Sequence, residues 1–392
     1  MASQAVCPTW EGGGFGSRPV PGSGEVTTPP RLGSWNLLIG GAGFVLLTIG
    51  ILWFQFHRIP QGAAGPRWTE LRWGYLALLL LALPVETLAS AARMWVVCRV
   101  LEPGVGFWTC VNAEWANVAS SMLTPSQSGG PGQVYILKRA GAQVGTALAI
   151  SLLSFVGTVV GLLLMGLYAL FVSRTVTGGA LFATAVWGLI AISALMVLAA
   201  VAPGLLRVPL AAASRVLRRV AGGRVPLTDW WPPLVPRTVA PVEQVDRLTG
   251  WLLDLIYTYR DDVARFVRRG KASFAWVCLL SLVFLLERCV MAYLCLRFLG
   301  VETASLRQVV EAQITVIFLV YLAPTPGAAG MAEGASLSIM AEIVPPGLAP
   351  YYNLLWRFST VYLAALAGLV TLLRAVVEDA RRLRSSLREG HQ

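Results

Sequence analysis

Histidine is almost missing from this chain: only His57 and His391 occur in 392 residues. Both stand beside or beyond the apolar runs, so neither a histidine-based zinc site nor a Ser/His/Asp triad can form among them. Cysteine offers no substitute. Cys7, Cys98, Cys110, Cys278, Cys289 and Cys295 include no CxxC pair or other ligand spacing; most lie in or beside apolar stretches, where they read as packing residues. Charge is scarce too, at 13% of residues, too little to cover a water-facing globule of this length. No metal or other cofactor is expected, and most hydrolase chemistry is excluded.

What is present is apolar sequence. Hydrophobic residues make up 56% of the chain, the mean hydropathy is +0.66, and the apolar residues arrive in runs long enough to cross ~30 Å of hydrocarbon. The expected fold is an all-α integral membrane domain. The formal net charge of +11 has no basic patch outside the flanks of the apolar runs and no recognisable nucleic-acid-binding module. Anionic membrane lipids, and not nucleic acid, are therefore the expected partners.

Residues 1–34 are dense in Gly, Pro and Ser and lack the basic, apolar and small-residue sections of a signal peptide, which predicts a disordered cytoplasmic tail. Six membrane spans are expected, at 35–54, 73–97, 145–172, 180–202, 272–298 and 353–373. Residues 35–202 form the first half of the membrane domain and 272–375 the second. Between them, residues 203–271 carry 12 Lys/Arg against 6 Asp/Glu, with a Pro-rich kink at WWPPLVPRTVAP. In the later part of that segment Val245, Leu248, Leu252, Leu255, Ile256, Tyr259, Val263 and Phe266 recur at helical spacing among arginines. Such a helix either lies on the membrane surface or packs on the membrane domain. Residues 376–392 read as a basic cytoplasmic tail.

Two further apolar regions, 104–137 and 308–345, are interrupted by Pro and Gly. If each enters and leaves on one side, as a re-entrant broken helical hairpin, 22 of the 31 Lys/Arg fall on the cytoplasmic face and 5 outside, at Arg58, Arg67, Arg72, Arg174 and Arg307. Counting either region as a full crossing would place the basic 203–271 segment and the basic C-terminal tail on opposite faces. The positive-inside bias thus favours six transmembrane helices plus two hairpins, with both termini in the cytoplasm of a bacterial inner membrane. Each half is then a span, a broken hairpin and a span, run in opposite senses, which is an inverted repeat.

The breaks carry the candidate chemistry, because lipid cannot satisfy the backbone groups they free. The first reads ANVASSMLTPSQSGGPGQVYILKRAG and the second VYLAPTPGAAGMAEGASLSIM. Half-helix N-termini meeting near mid-membrane suit a phosphate or other anionic headgroup. In the first region the candidate headgroup-binding residues are Glu114, Asn117, Pro125, Gly129, Gly130, Gln133, Lys138 and Arg139. In the second they are Pro324, Pro326, Gly327, Gly330 and Glu333, joined by Arg357 of the last span. Gly129, Gly130 and Gly132 are expected to allow close backbone approach.

The two stretches resemble the "tPs..GG..qvylLkr.G" and "aP.tPGg.G..E......R" patterns of the lysylphosphatidylglycerol synthase transmembrane region family, also called the flippase-like domain family. The resemblance covers about residues 35–375. It implies a membrane domain that, in the fused aminoacyl-phosphatidylglycerol synthases, moves the modified lipid between leaflets. Those synthases carry a soluble transferase domain after the membrane region, whereas about 18 residues follow Arg374 here, so lysine transfer is not expected of this chain. Two departures bear on headgroup preference: Pro131 stands where many members have Glu, and Ala328-Ala329 where they have Gly-Leu. Gly330, Glu333 and Arg357 are retained.

Ionisable residues inside spans cost ~2.5–3.5 kcal/mol on insertion scales, so Glu86, Glu114, Glu287, Arg288, Glu311, Glu333 and Arg357 need partners or a polar cavity. Arg93 and Arg297 are expected to snorkel from span ends. The sequence expectation is translocation of a lipid or polyprenyl-phosphate-linked lipid between leaflets. A membrane-embedded lipid or glycosyl transferase with Glu333 or Glu114 as base lacks a DxD motif or nucleotide-binding loop. A scaffold that binds a lipid-modifying enzyme through residues 203–271 remains open, as does a homo-oligomer.

Overall fold

In this computed structural model the described residues are 65–122, 130–171 and 241–389 without Pro324, and a few of 46–57 and 187–194. Their regular elements are all helices, without a strand among them. The expected spans at 35–54 and 180–202 lie largely outside the described residues. The other four are present as apolar helices long enough to cross a membrane.

Helix α1 (Trp73–Leu101) and α6 (Lys271–Phe298) form the central pair. They run antiparallel: Arg72 N donates to Phe298 O at one end, Glu86 meets Arg288 midway, and Arg93 reaches Ser281 further along. α1 keeps Pro84 in its interior, an arrangement that neighbouring helices make tolerable in membrane helices. α4 (Val144–Phe171) lies against α6. Their close approach is set by small residues: a side chain at Gly157 would meet Val277 and Ser281, so the backbones pack closely where lipid gives no hydrophobic drive.

Two pairs of shorter helices flank this centre. α2 (Phe107–Ser121) packs on α3 (Gly130–Arg139), and α7 (Leu306–Leu322) leads through a 3-10 turn, Pro326–Ala328, into α8 (Met331–Ile339). At 1.5 Å per residue the longest of the four is about 25 Å, short of the ~30 Å hydrocarbon core. α7 starts at a capping box in which Gln308 N donates to Ser305 Oγ and Ser305 N to Gln308 Oε1, satisfying two donors at the helix end.

The last helix differs from expectation in length. α9 (Ala349–Arg357) passes through a π-helical turn, Phe358–Tyr362, into α10 (Leu363–Glu389). The expected span of 353–373 and much of the basic tail thus belong to one helical column. Ala, Leu, Arg and Glu are strong helix formers, and neither proline nor glycine occurs between Gly368 and Gly390. Glu378 and Asp379 also tie this extension to Arg139 of α3. α10 crosses α2 so closely that a side chain at Gly368 would collide with the Trp115 carbonyl.

The later part of residues 245–266 packs on neighbouring helices. In α5 (Pro241–Arg269), Phe266 is 1% exposed and sits in one core cluster with Cys98, Ala147 and Val277, and Tyr259 and Val263 pack against it. That part of its apolar face is covered by α1 and α4, while Arg260, Arg265, Arg268 and Arg269 line an open groove on the other side. The described cysteines are all free; Cys98, Cys110, Cys289 and Cys295 are buried, as packing residues are.

Candidate functional site

The second break is held by backbone conformations that few residues adopt. Gly327, Ala328 and Gly330 have φ of 58°, 55° and 82°, reversing the chain so that α8 starts at Met331. Gly330 costs nothing there, whereas Ala328, one of the two departures from the family pattern, accepts a left-handed conformation despite its Cβ. Glu333, in the first turn of α8, takes the Gly330 N–H on Oε2 at 2.7 Å. Its other oxygen accepts from Arg357 Nε at 2.9 Å, and Arg357 Nη2 donates to Gly327 O at 2.8 Å.

One carboxylate and one guanidinium thus satisfy both sides of the broken turn. The pair is closed off, with 2% side-chain exposure at Arg357 and 6% at Glu333. Gly327, Gly330, Glu333 and Arg357 are therefore brought together across 30 residues of sequence. Pro326 opens the 3-10 turn, and Pro324 lies outside the described residues. The π-helical turn follows directly on Arg357, such bulges often mark functional positions, and its last residue, Tyr362, sets its ring 5.7 Å from the Arg357 guanidinium.

The tip of the first break, with Pro125 and Gly129, also lies outside the described residues. Of the described glycines expected to allow close approach, Gly132 does so: a Cβ there would press on the Ala116 carbonyl and lie 2.6 Å from Ser120 Oγ. Gly130 does not, for nothing stands within 4 Å of its Cβ position. Pro131 is exposed in the first turn of α3, where its missing N–H has no helical partner to lose. Gln133 is buried and points its amide at Met94 Sδ, 3.4 Å away. Asn117 is half-buried and Lys138 exposed. Arg139 bonds Glu378 at 2.5 Å and Asp379 at 2.8 Å, and Tyr135 donates to Asp379 at 2.6 Å, so Arg139 anchors the hairpin to α10.

A second charged group lies where α1 crosses α6. Arg288 Nε donates to Glu86 Oε1 at 2.7 Å, and Glu114 from α2 is buried with Oε2 unpartnered. Arg93 departs from the snorkelling expectation. It is 6% exposed and donates to Ser90, Thr158 and Ser281. Its guanidinium stands 5.3 Å from the centre of the Phe284 ring, and that of Arg288 stands 4.7 Å from it. The only hint in the sequence was that Glu86 and Arg93 share a helix face at i, i+7; the hydroxyl cradle from α4 and α6 had no local signal. Arg297 does stay at the end of α6, bonded to Tyr293 and to Glu302 O. Glu311 is paired with Arg307 at 2.8 Å.

The geometry holds charged side chains in pairs and cradles inside a helical membrane domain. No curated protein matches the chain. A family model described as the lysylphosphatidylglycerol synthase TM region matches residues 38–368, a stretch that takes in both breaks, the Glu333–Arg357 pair and the α1–α6 crossing. The chain belongs to the lysylphosphatidylglycerol synthase transmembrane-region family.

Proposed function

We propose that this protein translocates an anionic phospholipid or a polyprenyl-phosphate-linked lipid between leaflets without altering it chemically. The observation that carries this reading is the second break, where a short helix starts at the exposed Gly330 and Met331 on a turn stapled by the buried Glu333–Arg357 pair. A helix that begins there presents backbone N–H groups and partial positive charge to an anionic headgroup. Its countercharges are internally neutralised, so the site attracts the headgroup without a bare cation in hydrocarbon. The acyl or prenyl chains stay in the bilayer while the headgroup passes between the hairpins.

In this reading the α2–α3 and α7–α8 pairs are re-entrant hairpins, and α1 and α6 are equivalent first helices of two inverted halves. Their antiparallel course supports that equivalence. Both termini lie in the cytoplasm of a bacterial inner membrane, where anionic lipid and a basic rim meet.

The test is reconstitution of the full chain in liposomes holding a fluorescent anionic lipid, with leaflet exchange and lipid composition measured on one sample. Protein-dependent exchange of chemically unchanged lipid is expected. A protein-dependent covalent product would defeat the proposal in favour of an enzyme. Neither exchange nor product, across phospholipids and polyprenyl phosphates, would defeat it in favour of a scaffold.

A further inference from the structure

Glu287 precedes Arg288 in the middle of α6, is 8% exposed, and has no hydrogen-bond partner for either carboxylate oxygen. Arg288 is already engaged, giving its Nε to Glu86, and the charge of Glu86 bears on Glu287 across the helix crossing. The groups around this trio are Arg93 from α1, Glu114 from α2, Tyr321 from α7 and Cys289, the next residue of α6. Arg93 is spoken for by the hydroxyls of Ser90, Thr158 and Ser281. At the crossing itself Glu86 and Glu287 thus share a single guanidinium, Arg288, with the buried carboxylate of Glu114 from α2 beside them.

Two carboxylates that share one cation away from water do not both remain ionised, because their mutual repulsion and the lost hydration drive a proton onto one of them. We propose that Glu86, Glu287 and Arg288 form a proton-binding site, in which Glu287 carries the proton while Arg288 neutralises Glu86. When Arg288 turns from Glu86 to Glu287, the Glu287 O–H bond breaks and its proton leaves to water, while Glu86 gains one from water. The trio keeps its total charge, and one proton is exchanged for each swing of the guanidinium. Residues of this kind inside membrane helices serve proton relays, and the site supplies a means of tying a helix movement at the α1–α6 crossing to a proton gradient. The inference goes beyond lipid translocation and stands apart from it.

Infrared spectroscopy of the full-length protein in detergent at neutral pH, compared between H2O and D2O, reads the proton directly. A C=O stretch of a buried protonated carboxyl, shifted in D2O, is expected from the wild type. It should vanish in Glu287→Gln. It should vanish equally in Glu86→Gln, where Arg288 is released to neutralise Glu287, and persist in Glu333→Gln. Absence of the band from the wild type overturns the proposal without recourse to any variant. Survival of the band in Glu287→Gln or Glu86→Gln, or its loss in Glu333→Gln, overturns it as well. Lipid exchange is not read in this experiment, so its outcome is independent of the translocation test.

Discussion

Replacing Glu333 with Gln and Arg357 with Met, singly and together, separates a structural staple from a substrate contact. Both partners are almost fully enclosed, at 6% and 2% side-chain exposure, so solvent screening gives little relief. Breaking one side of such a pair leaves an uncompensated buried charge, at ~3–5 kcal/mol. Glu333→Gln belongs near the lower end, because the amide oxygen still accepts from Arg357 Nε. Arg357→Met belongs near the upper end, because it strands the carboxylate on the single Gly330 N–H and removes the donor to Gly327 O. The double variant buries no charge and leaves chiefly the Gly327 carbonyl unsatisfied, at ~1–3 kcal/mol. It is expected to fall short of the summed single losses by ~2 kcal/mol or more. Denaturant unfolding in detergent measures the three losses, and liposome exchange measures the activity of each variant that folds. Additive losses would refute the claim that the two residues act as a pair. Recovery of activity in the double variant would make the pair structural; a stable but inactive double variant would place the charges in the lipid path.

Ala328→Gly should stabilise the protein by about 1 kcal/mol, since the left-handed φ of 55° penalises a Cβ; unchanged or lower stability in the same unfolding assay counts against strain there. Gly368→Leu should cost ~3 kcal/mol or more, because the added side chain meets the Trp115 backbone and not a yielding side chain; native-like stability would mean that α10 and α2 do not cross this closely. Pro326→Ala should impair lipid exchange less than Glu333→Gln does, because a loosened turn costs less than an uncompensated charge; the reverse order would place the turn itself in the path. Reporter fusions at the C-terminus and within residues 203–271 should both report cytoplasm, following the 22 to 5 division of Lys/Arg; an external signal from either would end the six-span arrangement and the inverted repeat with it.

Hydropathy made the described spans legible because crossing a bilayer is a demand on each helix separately, met by its own residues. Trp73–Leu101, Val144–Phe171 and Lys271–Phe298 begin within a residue of expectation. The second break was legible for a similar reason: Pro and Gly act on the backbone where they stand, and the family pattern of Gly330, Glu333 and Arg357 survives in this chain. Tertiary structure decided the rest. Glu86 and Arg288 are 202 residues apart and Arg139 and Asp379 are 240 apart, and no periodicity encodes which buried charge meets which. The same holds for Arg93, whose place near a span end suggests an exit to the interface but whose guanidinium is held by hydroxyls from α4 and α6. Covering of the α5 apolar face also rested on neighbours distant in sequence. Composition and local pattern determined that this chain is a helical membrane protein with two broken regions. Only packing decided which charges are stapled, which is cradled, and that Glu287 has no partner.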